Sequence, residues 1–141
     1  MFKPIFYSLV LPLAIALVGC SDNNEVINME KNGPKPTMDL HITPQDGLVY
    51  GEKVNVSGLM TDERNLEQYV ITITNSAGDT LVRKQQSLLG QSFNVNTDLL
   101  VSLPKNAKTE NLKLRVRLDN SRNGEAVEEF DINNVSAPTF D

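Results

Sequence analysis

Cysteine, tryptophan and histidine are nearly absent from this chain of 141 residues, which has one cysteine, no tryptophan and one histidine. A single cysteine excludes a disulfide framework, so a folded domain must depend on the burial of apolar side chains. After residue 20 the chain holds few aromatic residues, and few of these remain for display at a surface once a core is filled. They are Tyr50, Tyr69, Phe93, Phe130 and Phe140.

Positive charge is also scarce. Lys3 is the only charged residue among the first 19, and the rest of the chain carries 12 Lys and Arg against 18 Asp and Glu, a net charge of −6. This balance argues against nucleic acid as a partner, because phosphate backbones bind basic surfaces. The length leaves room for one domain with a short lead.

The first 19 residues have the pattern of a signal peptide. Lys3 provides the positive n-region, and residues 5–18 form an apolar stretch of 14 residues. At about 1.5 Å per residue, a helix of this length is shorter than the ~30 Å hydrocarbon core, and Pro12 further disfavours a lasting membrane span. The sequence therefore predicts that residues 1–19 are removed.

The end of this stretch resembles the lipobox of bacterial lipoproteins. Leu17 stands at its aliphatic position, Val18 at the position that takes a small or aliphatic residue, and Gly19 at the small position. Cys20 follows directly. The resemblance implies that the Cys20 thiol takes a diacylglyceryl group, that the chain is cut before Cys20, and that the new amine can be acylated. Each acyl chain contributes about 0.8 kcal/mol per buried methylene. Several acyl chains therefore anchor a protein stably, whereas one chain gives only marginal membrane binding. The alternative is an ordinary secretory signal followed by a chance cysteine.

Residues 21–25, with the sequence SDNNE, resemble the acidic export signal of Bacteroidetes surface lipoproteins. Two asparagines stand where acids are usual, and a solvated tether of generic composition is the alternative. We expect residues 20–36 to form the lipidated cysteine and a flexible tether. The expected location is the outer membrane, with the domain at the cell surface or, alternatively, facing the periplasm.

From Thr37 onward, short runs of alternating apolar and polar residues are separated by turn formers, which predicts strands rather than helices. The clearest run places Tyr69, Ile71 and Ile73 on one face, and Gly58 allows a bend or bulge near the end of an earlier run. Seven such runs in about 100 residues predict an all-β, immunoglobulin-like β-sandwich. Its predicted span is 37–135, and residues 136–141 form a C-terminal tail.

The order of elements resembles the immunoglobulin-like or cadherin-like domains of Bacteroidetes lipoproteins. The resemblance is carried by TPQDG at 43–47, GEKVNV at 51–56, LPKNA at 103–107 and LKLRV at 112–116. It implies a sandwich that is an accessory module of uncharacterised role or accompanies glycan capture at the cell surface. Members of one such family carry several histidines on an early strand, whereas this chain has only His41.

Two pairs of oxygen-bearing residues are candidates for calcium, which needs six to eight oxygen ligands. They are Asp62 with Glu63, and Asp119 with Asn120. No spaced acidic loop accompanies them, so turn formation and solubility are the favoured interpretation. His41 lies on the predicted outward face of the first strand without partners for metal binding or proton transfer. We expect no metal and no cofactor.

A basic row on the sixth run could meet an anionic polymer, or be neutralised by acids of the last run if the two strands pair. The basic residues are Lys113, Arg115 and Arg117, and the acids are Glu128, Glu129 and Asp131. Cross-strand neutralisation is the favoured interpretation.

For function, the sequence predicts a non-enzymatic interaction or accessory module, held at the membrane through lipid on Cys20. Its serines lie in no nucleophile-elbow context, which disfavours an enzyme. Its partner is an unidentified protein or glycan. The alternative is a glycan-binding component of a polysaccharide uptake system, in which Tyr50, beside Gly51, is the aromatic available for stacking on a sugar.

Overall fold

A computed structural model describes residues 34–139, and the predicted signal peptide, lipobox, Cys20 and most of the tether lie outside this range. The described residues contain seven strands and no helix. The strands are β1 (Thr37–Thr43), β2 (Lys53–Thr61), β3 (Leu66–Thr74), β4 (Thr80–Ser87), β5 (Ser92–Leu100), β6 (Glu110–Asn120) and β7 (Glu125–Val135). No helix in this part of the chain is long and apolar enough to cross a membrane.

The strands form two antiparallel sheets. One has the order β1-β2-β5 and the other the order β4-β3-β6-β7. In constant-type immunoglobulin domains the fourth strand pairs with the fifth, whereas here β4 pairs with β3, so the sheet that contains β1, β2 and β5 is the one with three strands. The prediction of an all-β, immunoglobulin-like sandwich of about seven strands is confirmed.

The core fills the space between the sheets with aliphatic side chains from alternate positions. The prediction that Tyr69, Ile71 and Ile73 share one face of β3 is confirmed, because all three are buried in the core, and alternate residues of β6 are buried in the same way. Burial of this kind contributes roughly 1.5–3 kcal/mol for each large aliphatic side chain. Among the buried residues are Val54, Val56, Ile71, Ile73, Leu112, Leu114, Val116, Leu118 and Ile132.

Gly58 lies within a regular ladder without a register shift, so the bulge that a glycine allows there is not formed. It pairs in register with Leu40 on one side and Val95 on the other. Its φ of 148° is unfavourable for other residues, and a Cβ there would overlap the main-chain oxygen of Asp39. Glycine is needed at this position because the β1 backbone approaches it closely.

The connection from β1 to β2 crosses to the other sheet and pairs with the end of β7. Asn133 N donates to Gln45 O at 2.8 Å, and Gly47 N donates to Asn133 O at 2.9 Å. Tyr50 N then donates to Ser136 O at 2.9 Å. The crossing connection thus links the two sheets on the side where β1 and β7 are the edge strands. On the opposite side, the edge strands are β4 and β5.

Candidate functional site

Tyr50 is buried, and the expectation that it is available for stacking on a sugar is wrong. Only 2% of it is exposed, and its ring belongs to the core. The physical reason is the crossing connection, whose pairing with β7 turns Leu48 and Tyr50 inward. The Tyr50 hydroxyl donates a hydrogen bond of 3.2 Å to Glu110 Oε2.

Glu110 joins three segments at this end of the sandwich. Its Oε1 accepts hydrogen bonds from Ser76 N at 2.9 Å and from Ser76 Oγ at 2.6 Å. These bonds stabilise the carboxylate and lower the pKa of Glu110. Burial, reinforced by the charge of Glu110 and the hydrogen bond to it, raises the pKa of Tyr50 to about 12. The cluster thus fixes the β1–β2 connection and the β3–β4 hairpin to the start of β6.

A cleft of about 290 Å³ adjoins this cluster, and Lys105, Lys108 and Glu110 contribute to its lining. Ser76 also lines it, but the Ser76 hydroxyl already donates to Glu110. The Glu110 carboxylate and the Ser76 hydroxyl therefore hold the loops of the cleft together.

The burial of Tyr50, together with the charge of Glu110 and the hydrogen bond to it, predicts a specific loss of stability at high pH. The folded pKa of Tyr50 lies above its ordinary value of 10.0, so its stabilising effect is complete below pH 10 and is lost as the pH rises towards 12. Tyr50→Phe should lower the free energy of unfolding by about 1–2 kcal/mol at pH 7. In urea titrations from pH 7 to 12, the wild type should lose more stability above pH 10 than the variant. Parallel losses would contradict the assignment, because Tyr69 is common to both proteins.

The other end of the sandwich, where the chain enters at Pro34, is built around Asn120. This residue is fully buried. Its Oδ1 accepts hydrogen bonds from Arg122 N at 2.9 Å and Gly124 N at 2.7 Å. Its Nδ2 donates to Asp62 Oδ2 at 2.7 Å and to Pro34 O at 3.3 Å. One side chain therefore connects the β6–β7 turn, the β2–β3 connection and the point where the chain enters.

Asp62 and Arg64 complete this polar cluster. Asp62 Oδ1 accepts a hydrogen bond of 2.7 Å from Arg64 N and lies 3.8 Å from Arg64 Nε. Arg64 Nη2 donates to Pro34 O at 2.8 Å. The Arg64 guanidinium and the Asn120 amide therefore both hold Pro34 O at this end of the sandwich, and Asp62 holds Arg64 in place.

The structure brings together two of the four calcium candidates and separates the others. Asp62 and Asn120 meet, but both Asp62 carboxylate oxygens and Asn120 Oδ1 already accept hydrogen bonds. Glu63 is exposed to solvent, and Asp119 lies apart, 3.3 Å from the Arg117 guanidinium. Within residues 34–139 there is no group of three or more His, Cys, Asp or Glu placed to hold a metal ion.

The basic row of β6 pairs with acids of β7, which confirms most of the predicted neutralisation. Lys113 Nζ lies 3.6 Å from Asp131 Oδ1, and Arg115 Nε lies 3.9 Å from Glu129 Oε2. The part of the prediction that concerns Glu128 is wrong, because Glu128 pairs with the buried Val116 on the inward-facing side of β7. The observed pairs are about half exposed and contribute roughly 0–1 kcal/mol each.

Sequence reasoning missed the structural role of Asn120. The available signal was the turn sequence NSRNG at 120–124, because an asparagine at the start of a turn accepts hydrogen bonds from main-chain N–H groups that follow it. His41 lies exposed on the outer face of β1, as predicted.

Together, the sheet order, the core and the two polar end clusters define an immunoglobulin-like β-sandwich closed by side-chain hydrogen bonds at both ends. Comparison with protein-family models and with curated proteins gives no match for the chain.

Proposed function

We propose that the protein is a lipid-anchored interaction module of the bacterial cell envelope, tethered through Cys20 and without catalytic activity. The observation that carries the proposal is the fixation of the chain at Pro34, 14 residues after the cysteine of the lipobox-like motif. A force applied through the tether would act on the sandwich at Pro34, where the Arg64 and Asn120 side chains hold the main chain.

The length of the lead suits this arrangement. Fourteen residues reach at most about 50 Å when fully extended, since a residue spans about 3.3–3.6 Å. This distance exceeds the thickness of one leaflet with its headgroups, because a whole bilayer measures about 40–45 Å. A domain on such a lead can stand clear of the membrane surface and meet a partner.

The hydrogen bonding of the polar clusters supports a binding role over catalysis. Ser76 Oγ and Glu110 satisfy each other, and Asp62 is held by Asn120 and Arg64. These groups stabilise loops. Because Tyr50 is buried, the glycan-binding alternative loses the aromatic residue on which it depended, and we do not propose it.

The anchor is tested by labelling cells that express the full chain with a fatty-acid probe. Wild type should be labelled and should partition into detergent. Cys20→Ala should lose at least about nine-tenths of the label, because the thiol and the motif required for cleavage are both lost. Ser21→Ala is the matched control and should keep the label. Equal labelling of wild type and Cys20→Ala would contradict the proposal.

A second measurement tests the location. Protease added to intact cells should degrade the domain if it lies at the cell surface, and should reach it only after the outer membrane is permeabilised if it faces the periplasm. Recovery in the soluble fraction without an attached lipid would contradict both locations.

A further inference from the structure

One sheet has three strands and the other has four. The strand that the smaller sheet lacks would lie on the side of the sandwich where β4 and β5 are the edge strands. On the other side, the crossing connection joins β1 and β7. On the side of β4 and β5, Lys84 Nζ of β4 donates to Thr97 Oγ1 of β5 at 2.5 Å. Because three strands face four, no strand of the described chain lies beyond β5 to cover the inward-facing side of β4.

The burial of β3 and β4 follows from this arrangement. Tyr69, Ile71 and Ile73 of β3 are at most 1% exposed. Their register partners on β4 are Gln86, Lys84 and Val82, and all three are only partly buried. A further strand beside β5 would lie over these β4 side chains.

The outer edge of β5 is suited to pairing with such a strand. All nine residues of β5 pair with β2 without a register shift, so alternate main-chain N–H and C=O groups point away from β2 in a regular row. Phe93, at the start of β5, is also partly buried and packs against Tyr69 with ring centroids 6.2 Å apart.

The other three sheet edges carry features that oppose pairing. β1 is flanked by Pro36 and Pro44. The end of β7 is covered by the crossing connection, and β4 has a register shift at Ile73/Thr74 together with the inward-pointing Lys84. Prolines, bulges and inward charges are the usual protections of sheet edges. β5 has no proline, no lysine and no bulge, and its single charge is Asp98.

Lys84 adds a chemical preference to this edge. Its ammonium group is partly buried and bonds to a neutral hydroxyl, and within residues 34–139 no carboxylate lies within 4.0 Å of it. A carboxylate would be a stronger partner, because charge-assisted hydrogen bonds are roughly twice as strong as neutral ones. A strand that brings a carboxylate to this point would therefore be favoured over one that brings a cation.

We infer that the outer edge of β5, with Val82, Lys84 and Gln86 of β4 beneath it, is a binding slot for an extended segment of a partner protein. The segment adds to β5 as a strand, with apolar side chains over Val82 and Phe93 and a carboxylate at Lys84. Main-chain hydrogen bonds supply affinity and the alternate side chains supply specificity. The inference names the partner class for the interaction role proposed above, and rests on that role for its biological setting.

The test uses the full chain in detergent and three fluorescent peptides of nine residues. In the first, valine and threonine alternate and the central valine is replaced by glutamate. The second has lysine at that position, and the third is the first with its threonines changed to proline, which cannot donate to a ladder. We expect the glutamate peptide to bind at least tenfold more tightly than the other two.

Variants of the protein test the assigned contact. Lys84→Glu should reverse the preference between the glutamate and lysine peptides. Arg83→Glu is the matched control, since it makes the same charge change on the outer face of β4, and it should leave the preference unchanged. If Lys84→Glu fails to fold, Lys84→Met keeps the apolar stem and should bring the two affinities within about threefold.

Hydrogen exchange locates the bound peptide. Binding should slow exchange in residues 92–100 and leave residues 37–43 unchanged. The inference is overturned if the wild type binds neither charged peptide, if Arg83→Glu changes the preference as much as Lys84→Glu, or if protection falls on β1. None of these readouts depends on the lipid, so a peptide-binding protein without fatty acid would refute the anchor alone.

Discussion

Gly58→Ala is expected to destabilise the sandwich by about 4 kcal/mol or more, which is the range of severe packing and backbone defects. The added Cβ would overlap the main-chain oxygen of Asp39 and crowd Leu40 Cα, and neither backbone atom can move without breaking the β1–β2 ladder. Urea unfolding should show the loss. Hydrogen exchange should show that the amides of β1 open first, because β1 is the strand that must move away.

Gly78→Ala is the control that separates backbone strain from steric overlap. Gly78 also has a positive φ, of 90°, but a Cβ there would meet nothing within 4 Å. Its replacement should cost only the conformational strain, about 1–2 kcal/mol. If both variants lose the same stability, the close approach of β1 to Gly58 is not the reason for the glycine.

Asn120→Ala is expected to lower the free energy of unfolding by about 3 kcal/mol, since it leaves buried polar groups without partners. The amides of Arg122 and Gly124 lose their acceptor, and Asp62 Oδ2 loses its donor. Chemical unfolding at pH 7 measures the loss. Because Asn120 also binds Pro34 O, proteolysis next to Pro34 should become faster in the variant.

Two further variants make this prediction specific. Asn94→Ala changes an exposed asparagine on the outer face of β5 and should alter stability by no more than about 0.5 kcal/mol. Asn120→Asp keeps the acceptor but places a second carboxylate against Asp62, so its deficit should be larger at pH 7 than at pH 4. A deficit for Asn120→Ala no larger than that of Asn94→Ala would show that the cluster does not hold the end of the sandwich.

The sequence was informative about the fold wherever burial alternates along a strand. Tyr69, Ile71 and Ile73 of β3 recur at every second position and fill the core, as their pattern predicts, and the buried residues of β6 alternate in the same way. The sequence pattern predicts only the first half of β4, residues 80–83, because KQQS at 84–87 has no apolar alternation and its inward-facing side is only partly covered. For a similar reason the pattern predicts a last strand of residues 126–132, whereas β7 continues to Val135 through the polar Asn133 and Asn134.

The candidate site was harder to predict because its residues are brought together by connections between sheets. Tyr50 beside Gly51 has the local sequence of an exposed loop, and only the crossing to β7 turns its ring inward. Pairing across β6 and β7 could be inferred from opposite charges, but the assignment of Glu128 required the register. The uncovered side of β4 follows from the number of strands in each sheet, which no local pattern reports.

The measurement that tests the central claim most directly is the intact mass and amino-terminal identity of the protein purified from the membranes of its native cells. The account predicts a chain that begins at Cys20 and carries the added mass of a diacylglyceryl group, with or without a further acyl chain on the amine. A chain that retains residues 1–19, or one that begins elsewhere with a free Cys20 thiol and no fatty acid, would contradict it.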